Sequence, residues 1–211
     1  VLFRSVIRGN RYYLEDKPQY LDDPDGEFWF ERKGNGGRLY LRLPEDMDPN
    51  RTRVEAAKRI AIIDGTDMSN MEISGLTFRF NNTFWVLDAI PPISPDVDGA
   101  CIKLRGSGSG LTISHCRFEH VTMPVNLRAA GDDDVIDGVV FNDNVIARTD
   151  FGGILFSDGG GWNNRNPHIG RLLDVRVLRN KLEYIGMRPN RYGQGHALEV
   201  NCAQTLEVAG N

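Results

Sequence analysis

The 211-residue sequence is short of the residues that build most metal centres and covalent frameworks: it has three cysteines and four histidines. Cys101, Cys116 and Cys202 lack the paired spacing of a zinc site and the even count of a disulfide framework, so they read as buried free thiols. Positive charge is not in excess. Lys plus Arg number 25 against 29 Asp plus Glu, a net charge of −4, which argues against a nucleic-acid partner. No apolar run approaches the roughly 18 residues that a membrane helix needs. No helical period of 3.6 runs through residues 60–211. The chain begins at Val1 without Met or a signal peptide and stops at Asn211 inside a patterned segment, so it is read as a piece of a longer protein.

What is present is glycine, 23 residues, and strand-like alternation. Apolar residues make up 40% and charged residues 26%, the balance of a folded globular chain with many turns. Five segments repeat: NMEISGLTFRF (70–80), GLTISHCRFEHV (110–121), GVVFNDNVIART (138–149), DVRVLRNKLEYIG (174–186) and TLEVAGN (205–211). They align on Ile73, Ile113, Phe141, Val177 and Val208, which are 40, 28, 36 and 31 residues apart. Two residues earlier each has an apolar residue: Met71, Leu111, Val139, Val175 and Leu206. Apolar residues at period two mark a strand with one buried face. A constant strand at variable intervals means a fixed coil with loops inserted into it. A second strand register precedes each copy: RIAIID (59–64), CIKLRG (101–106), PVNLRA (124–129), GGILFSDG (152–159) and HALEVN (196–201). Each coil therefore has at least two short strands without a helix between them. That pattern predicts an all-β, right-handed parallel β-helix over 58–211.

Three residues after each alignment point stand Leu76, Cys116, Asn144, Asn180 and Asn211. Stacked strands lie about 4.8 Å apart, so the three Asn are expected to form a ladder whose amides satisfy one another. Residues 1–57 differ. YYLED, then EFWFER and RLYLRL around KGNGG, read as short strands ending in a hairpin. This N-terminal module is expected to cover the first coil, because an open coil end exposes strand edges and core. RVEAAKR reads as a brief helical turn or an irregular link.

The order of these features resembles the start of the pectin-lyase-like right-handed parallel β-helix repeat proteins of bacteria. The likeness lies in GEFWFERKGNGGRLYLRLP, then IAIIDGTDMSNMEISGLTFRF, then Asn-ladder coils. It is closest to the glycoside-hydrolase-like branch and covers nearly the whole chain. The resemblance implies a secreted or periplasmic protein acting on a polysaccharide or oligosaccharide. It does not choose among hydrolases, lyases and binding proteins, because all share the fold.

A site on such a scaffold must sit on an outer face beside inserted loops. Three insertions stand out: 81–99, 156–174 with Trp162 and His168, and 186–201 with Arg188, Arg191, Tyr192 and His196. Aromatic rings stack on sugar faces, and amides, Arg and carboxylates bond sugar hydroxyls. The plain alternative is that Trp162 and Tyr192 only pin their loops. Glycoside hydrolysis needs two carboxyls. Asp158 and Glu199 fall on successive coils; if stacked they would stand roughly 5 Å apart, near the retaining spacing. A shifted register would carry them towards the inverting range. Asp150 is a third candidate, and His196 is placed to orient a carboxylate. Asp158 also suits a plain Ser-Asp-Gly turn, and Glu199 a solvated strand face. Lys103, Arg105 and Arg128 form a basic row that would serve β-elimination from a uronate polymer, or would be ordinary surface charge. The third class is a carbohydrate-binding β-helix with no reaction. Asp132, Asp133 and Asp134 read as a solvated turn, since calcium needs six or more oxygens that spacing does not supply. No cofactor, membrane span or subunit partner is expected.

Overall fold

The computed structural model describes residues 18, 21, 28–44, 47–48, 51–81, 99–129, 131–159, 170–187 and 195–211. The chain divides into two compact units, Val1–Ala56 and Ala57–Asn211.

In the first unit β1 (Phe28–Lys33) and β2 (Gly36–Leu41) form an antiparallel hairpin. Lys33 pairs with Gly36, leaving a two-residue loop in which Gly34 takes a φ of 57°. Only glycine adopts that value without a Cβ penalty. Trp29 and Tyr40 pair across the strands with ring centroids 5.2 Å apart. The YYLED strand lies outside the described residues.

The second unit is all strand; no α-helix occurs among the described residues. RVEAAKR (53–59) is irregular rather than helical. Three parallel sheets share the strands in rotation. The first holds β3 (Ile63–Thr66), β6 (Ile102–Arg105), β9 (Val125–Arg128), β12 (Ile154–Ser157) and β15 (Leu198–Asn201). The second holds β4 (Met71–Ser74), β7 (Gly108–Ser114), β10 (Val135–Asn142), β13 (Arg171–Leu178) and β16 (Ala203–Ala209). The third holds β5 (Thr77–Arg79), β8 (Arg117–Val121), β11 (Val145–Thr149) and β14 (Lys181–Glu183). Each strand pairs with the strand three places on, so one circuit of the chain adds one strand to every sheet.

The register follows the sequence repeat. Ile73, Ile113, Phe141, Val177 and Val208 are successive ladder partners. The first four repeat segments each contain two strands, not one. Between them sits a residue with positive φ, Gly75, His115, Asp143 and Arg179, and Gly210 holds the same position after β16, at 69°, 53°, 56°, 53° and 70°. This left-handed turn sends the chain from the second sheet to the third. The following residue turns inward, and there the Asn ladder forms. Asn180 Nδ2 donates to Phe141 O (3.0 Å), while its Oδ1 accepts from Asn144 N and Asn144 Nδ2, both at 3.0 Å. Asn144 Oδ1 accepts from Cys116 N, and Asn211 Oδ1 accepts from Asn180 N.

Inward side chains from all three sheets meet in one hydrophobic cluster, including Ile113, Phe118, Leu127, Phe141, Phe156 and Val177. Phe78 and Phe118 stack with centroids 4.9 Å apart and planes within 7°. Phe118 is fully buried, which contributes about 2–3 kcal/mol of transfer free energy. In the first sheet, alternation leaves the second and fourth residues of each strand on the outer face, where they form two largely polar rows.

Candidate functional site

The first sheet is the one that the long insertions adjoin. Segment 82–98 lies between β5 and β6, 188–194 between β14 and β15, and 160–169 between β12 and β13. Trp162, His168, Arg188, Arg191 and Tyr192 belong to these segments and lie outside the described residues.

Ladder register defines two outward rows on this sheet. One runs Asp64, Lys103, Asn126, Leu155, Glu199. The other runs Thr66, Arg105, Arg128, Ser157, Asn201. The inward positions between them, Leu104, Leu127 and Phe156, are buried, as alternation requires.

Glu199 is held from two sides. His196 Nδ1 lies 3.1 Å from its Oε2, and Asn201 Nδ2 donates to its Oε1 at 3.2 Å. Where the carboxylate accepts, His196 donates from Nδ1 and its Nε2 is left for another partner. The side chain of Glu199 remains 26% exposed. Its orientation is therefore set while one side stays open to solvent.

Asp158 is not its stacking partner. The residue opposite Glu199 is Leu155, three positions before Asp158. Three residues of strand amount to about 10 Å, so the expected 5 Å stack does not form. The physical reason is that Asp158 falls past the end of β12, at the corner where the chain leaves the sheet. There it is 1% exposed. Its carboxylate accepts from the Cys202 thiol, and that negative charge, with partial burial, pushes the Cys202 thiol above its ordinary value. Asp158, Arg171, Leu172, Cys202 and Gln204 line a cavity of about 360 Å³. Asp150 is exposed in the turn after β11, its N–H donating to Val121 O at 2.9 Å.

Of the expected basic row, Arg105 and Arg128 share one outward row and Lys103 falls in the other. Arg105 and Arg128 are direct ladder partners, and both are half-buried. Arg105 Nη1 donates to Leu104 O (2.8 Å) and Asn126 O (3.0 Å), which fixes its guanidinium along the sheet. Lys103 Nζ stands 3.9 Å from Asp64.

Asn126 is the residue that the sequence did not single out. It lies in the outward row between Lys103 and Leu155, yet it is 0% exposed. Neither its Nδ2 nor its Oδ1 has a hydrogen-bond partner. Buried amides are rarely left so, and each such case calls for an explanation. Beside it an outer apolar cluster of Ala100, Met123 and Phe151 packs with Leu155. A polar pair of atoms held against an apolar wall is how ligand sites fix orientation. The sequence signal was faint: PVNLR looks like any half-buried strand.

Among the described residues no group of three or more His, Cys, Asp or Glu is placed to hold a metal ion. Asp134 is used structurally, its Oδ1 accepting from Ser107 Oγ at 3.2 Å. Among the described residues no helix is long and apolar enough to cross a membrane. Comparisons with family models, curated proteins and solved structures return no match, so function must be read from the geometry alone.

Proposed function

We propose that the three sheets close into a right-handed parallel β-helix and that the chain is a carbohydrate-active protein that hydrolyses glycosidic bonds. Two points support the closure: strands visit the three sheets in strict rotation, and their apolar faces meet in one cluster. Parallel crossover connections are right-handed in about 98% of cases, which supports the hand.

The observation that carries the hydrolase reading is the clamp on Glu199 by His196 and Asn201. An oriented, solvent-accessible carboxylate on a sheet flanked by insertions suits a general acid or base. Asp158 and Asp150 are the candidates for the second carboxyl. With a register offset of about 10 Å along the strands, Asp158 would fit the wider inverting separation better than the retaining one. Lys103, Arg105 and Arg128 would bond the sugar, and Trp162, His168, Arg188, Arg191 and Tyr192 would meet it from the insertions. Such a substrate would place the protein in a secreted or periplasmic setting.

The adjacent guanidiniums of Arg105 and Arg128 favour a second reading, β-elimination from a uronate polymer, in which they neutralise the carboxylate. One assay separates the two. New reducing ends without ultraviolet absorbance mean hydrolysis; absorbance from an unsaturated product means elimination; binding without either means a binding protein. Glu199→Gln should lower hydrolysis roughly 10²–10⁴-fold. Full activity in both Glu199→Gln and Asp158→Asn would remove these residues from the chemistry.

A further inference from the structure

The third sheet carries a feature that the site above does not use. Phe80, His120, Arg148 and Tyr184 occupy one register column, each immediately after the paired Arg79, Glu119, Ala147 and Glu183. All four have positive φ: 59°, 51°, 56° and 55°. That conformation is uncommon for any residue with a Cβ, and a genuine outlier for a bulky one. In the neighbouring left-handed column two of five positions are glycine; here none is. Nor does core packing explain the choice, because Phe80 is 52% and Tyr184 68% exposed, and His120 and Arg148 are exposed too. Strain held at exposed positions is a pointer to function.

Planar groups along the column contact one another in two sets, Arg79–Phe80–His120 and Arg148–Tyr184. The Arg79 guanidinium lies 4.6 Å from the Phe80 centroid, Phe80 and His120 stack at 5.8 Å and 22°, and Arg148 lies 5.9 Å from the Tyr184 ring. All four side chains are exposed. The edges of His, Arg and Tyr carry N–H and O–H donors. The rungs recur about every 4.8 Å, close to the length of one sugar ring.

Charge around the ridge is positive on a chain that is negative overall. Arg79, Arg117, Arg148 and Lys181 stand against Glu119 and Glu183. Both carboxylates are already paired: Glu119 with Arg117 and Arg79, Glu183 with Lys181 at 2.8 Å. Arg148 is not in ion-pair contact with a carboxylate among the described residues, though its charge helps to lower the Glu183 carboxyl. An exposed column with four cations against two carboxylates is complementary to a linear polyanion.

We propose that the Phe80–His120–Arg148–Tyr184 ridge is a second binding site, distinct from the Glu199 sheet, that holds an anionic polysaccharide chain along the column. It rests on the carbohydrate-active reading only for the class of polymer; its residues lie on another sheet. The carboxylates of the polymer meet Arg148 and His120, and its hydroxyls meet the Tyr184 phenol. Association would weaken as salt rises, since exposed charge pairs are screened.

Glycine is the informative substitution, because it suits the left-handed backbone and deletes the ridge. The triple variant His120→Gly, Arg148→Gly, Tyr184→Gly should keep the fold, read by an unchanged far-ultraviolet circular dichroism spectrum and cooperative melting. Titration with oligogalacturonate, a neutral cello-oligosaccharide and single-stranded DNA of similar length is the test. The parent chain should bind oligogalacturonate at least tenfold more tightly than either other probe, and the folded triple variant should lose at least tenfold. Equal binding by the triple variant overturns the ridge, as does tighter binding of DNA or of the neutral oligomer, or no binding of oligogalacturonate by the parent. If the triple variant does not fold, Arg148→Gln and Tyr184→Leu singly must each weaken binding, or the proposal fails. Glu199→Gln should leave oligogalacturonate binding at the ridge intact while lowering turnover roughly 10²–10⁴-fold, so failure of the hydrolase reading and failure of the ridge give different results.

Discussion

Asn180 shows how one side chain can stitch three circuits together. It is 2% exposed, donates to Phe141 O and accepts twice from Asn144. Asn180→Ala would strand those groups in the core, and each unmet buried group costs about 1–3 kcal/mol. A loss of about 3 kcal/mol in a urea denaturation series is expected. Next to it, Arg179 clamps Asp143 through Nε at 2.8 Å and Nη2 at 2.7 Å. That hydrogen-bonded guanidinium, helped by Asn142, lowers the Asp143 carboxyl from 3.8 to about 2. A depressed carboxyl stabilises the fold above its unfolded value, and the contribution is lost as pH falls from 3.8 through about 2. Carboxyl NMR should show a midpoint near 2 that returns towards 3.8 in Arg179→Gln. The Asn ladder was legible because one residue type recurs at one repeat position. Asn126 was not, because its burial and its unmet amide depend on what packs over the outer face.

At the scale of elements, the left-handed turn does the work of dividing one repeat segment between two sheets. Gly75, His115, Asp143, Arg179 and Gly210 share it. Such mixed chemistry hides the turn from a sequence reading, since Gly or Asn is its usual marker. Gly75 isolates the backbone term, because a Cβ built there meets nothing within 4 Å. Gly75→Ala should therefore cost about 1–2 kcal/mol from conformation alone. The denaturation midpoint should fall with an unchanged slope against denaturant. Strand register was also decided at this scale. Val200 pairs with Phe156, so Asp158 lies past the strand end and does not stack on Glu199.

For the whole molecule, the core decides which thiols can react. Burial pushes Cys101 up to about 12 and Cys116 upward as well. Cys202 is exposed but raised by the Asp158 carboxylate. Labelling at mildly alkaline pH should modify Cys202 alone until the protein unfolds, and Asp158→Asn should speed that reaction by letting more thiolate form. Because the folded Cys101 thiol holds its proton to higher pH than the unfolded one, its contribution is complete below 9.0 and is lost as pH rises towards about 12. Of the expected buried thiols, then, Cys202 is the correction: it sits in a left-handed turn with φ 56° at the sheet corner.

The period-two apolar pattern and its recurrence determined the all-β class, the parallel stacking and the Asn ladder, because these depend on side chains repeating at equivalent positions. Tertiary structure alone decided what stands beside what across a turn. Placing Leu155, not Asp158, opposite Glu199, closing His196 and Asn201 onto that carboxylate, burying Asn126 and aligning Phe80 with His120, Arg148 and Tyr184 all depend on the number of residues each corner consumes. Corner lengths vary from circuit to circuit, and a strand's facing alternates with every residue, so a shift of one or three positions moves a group to another face or another partner.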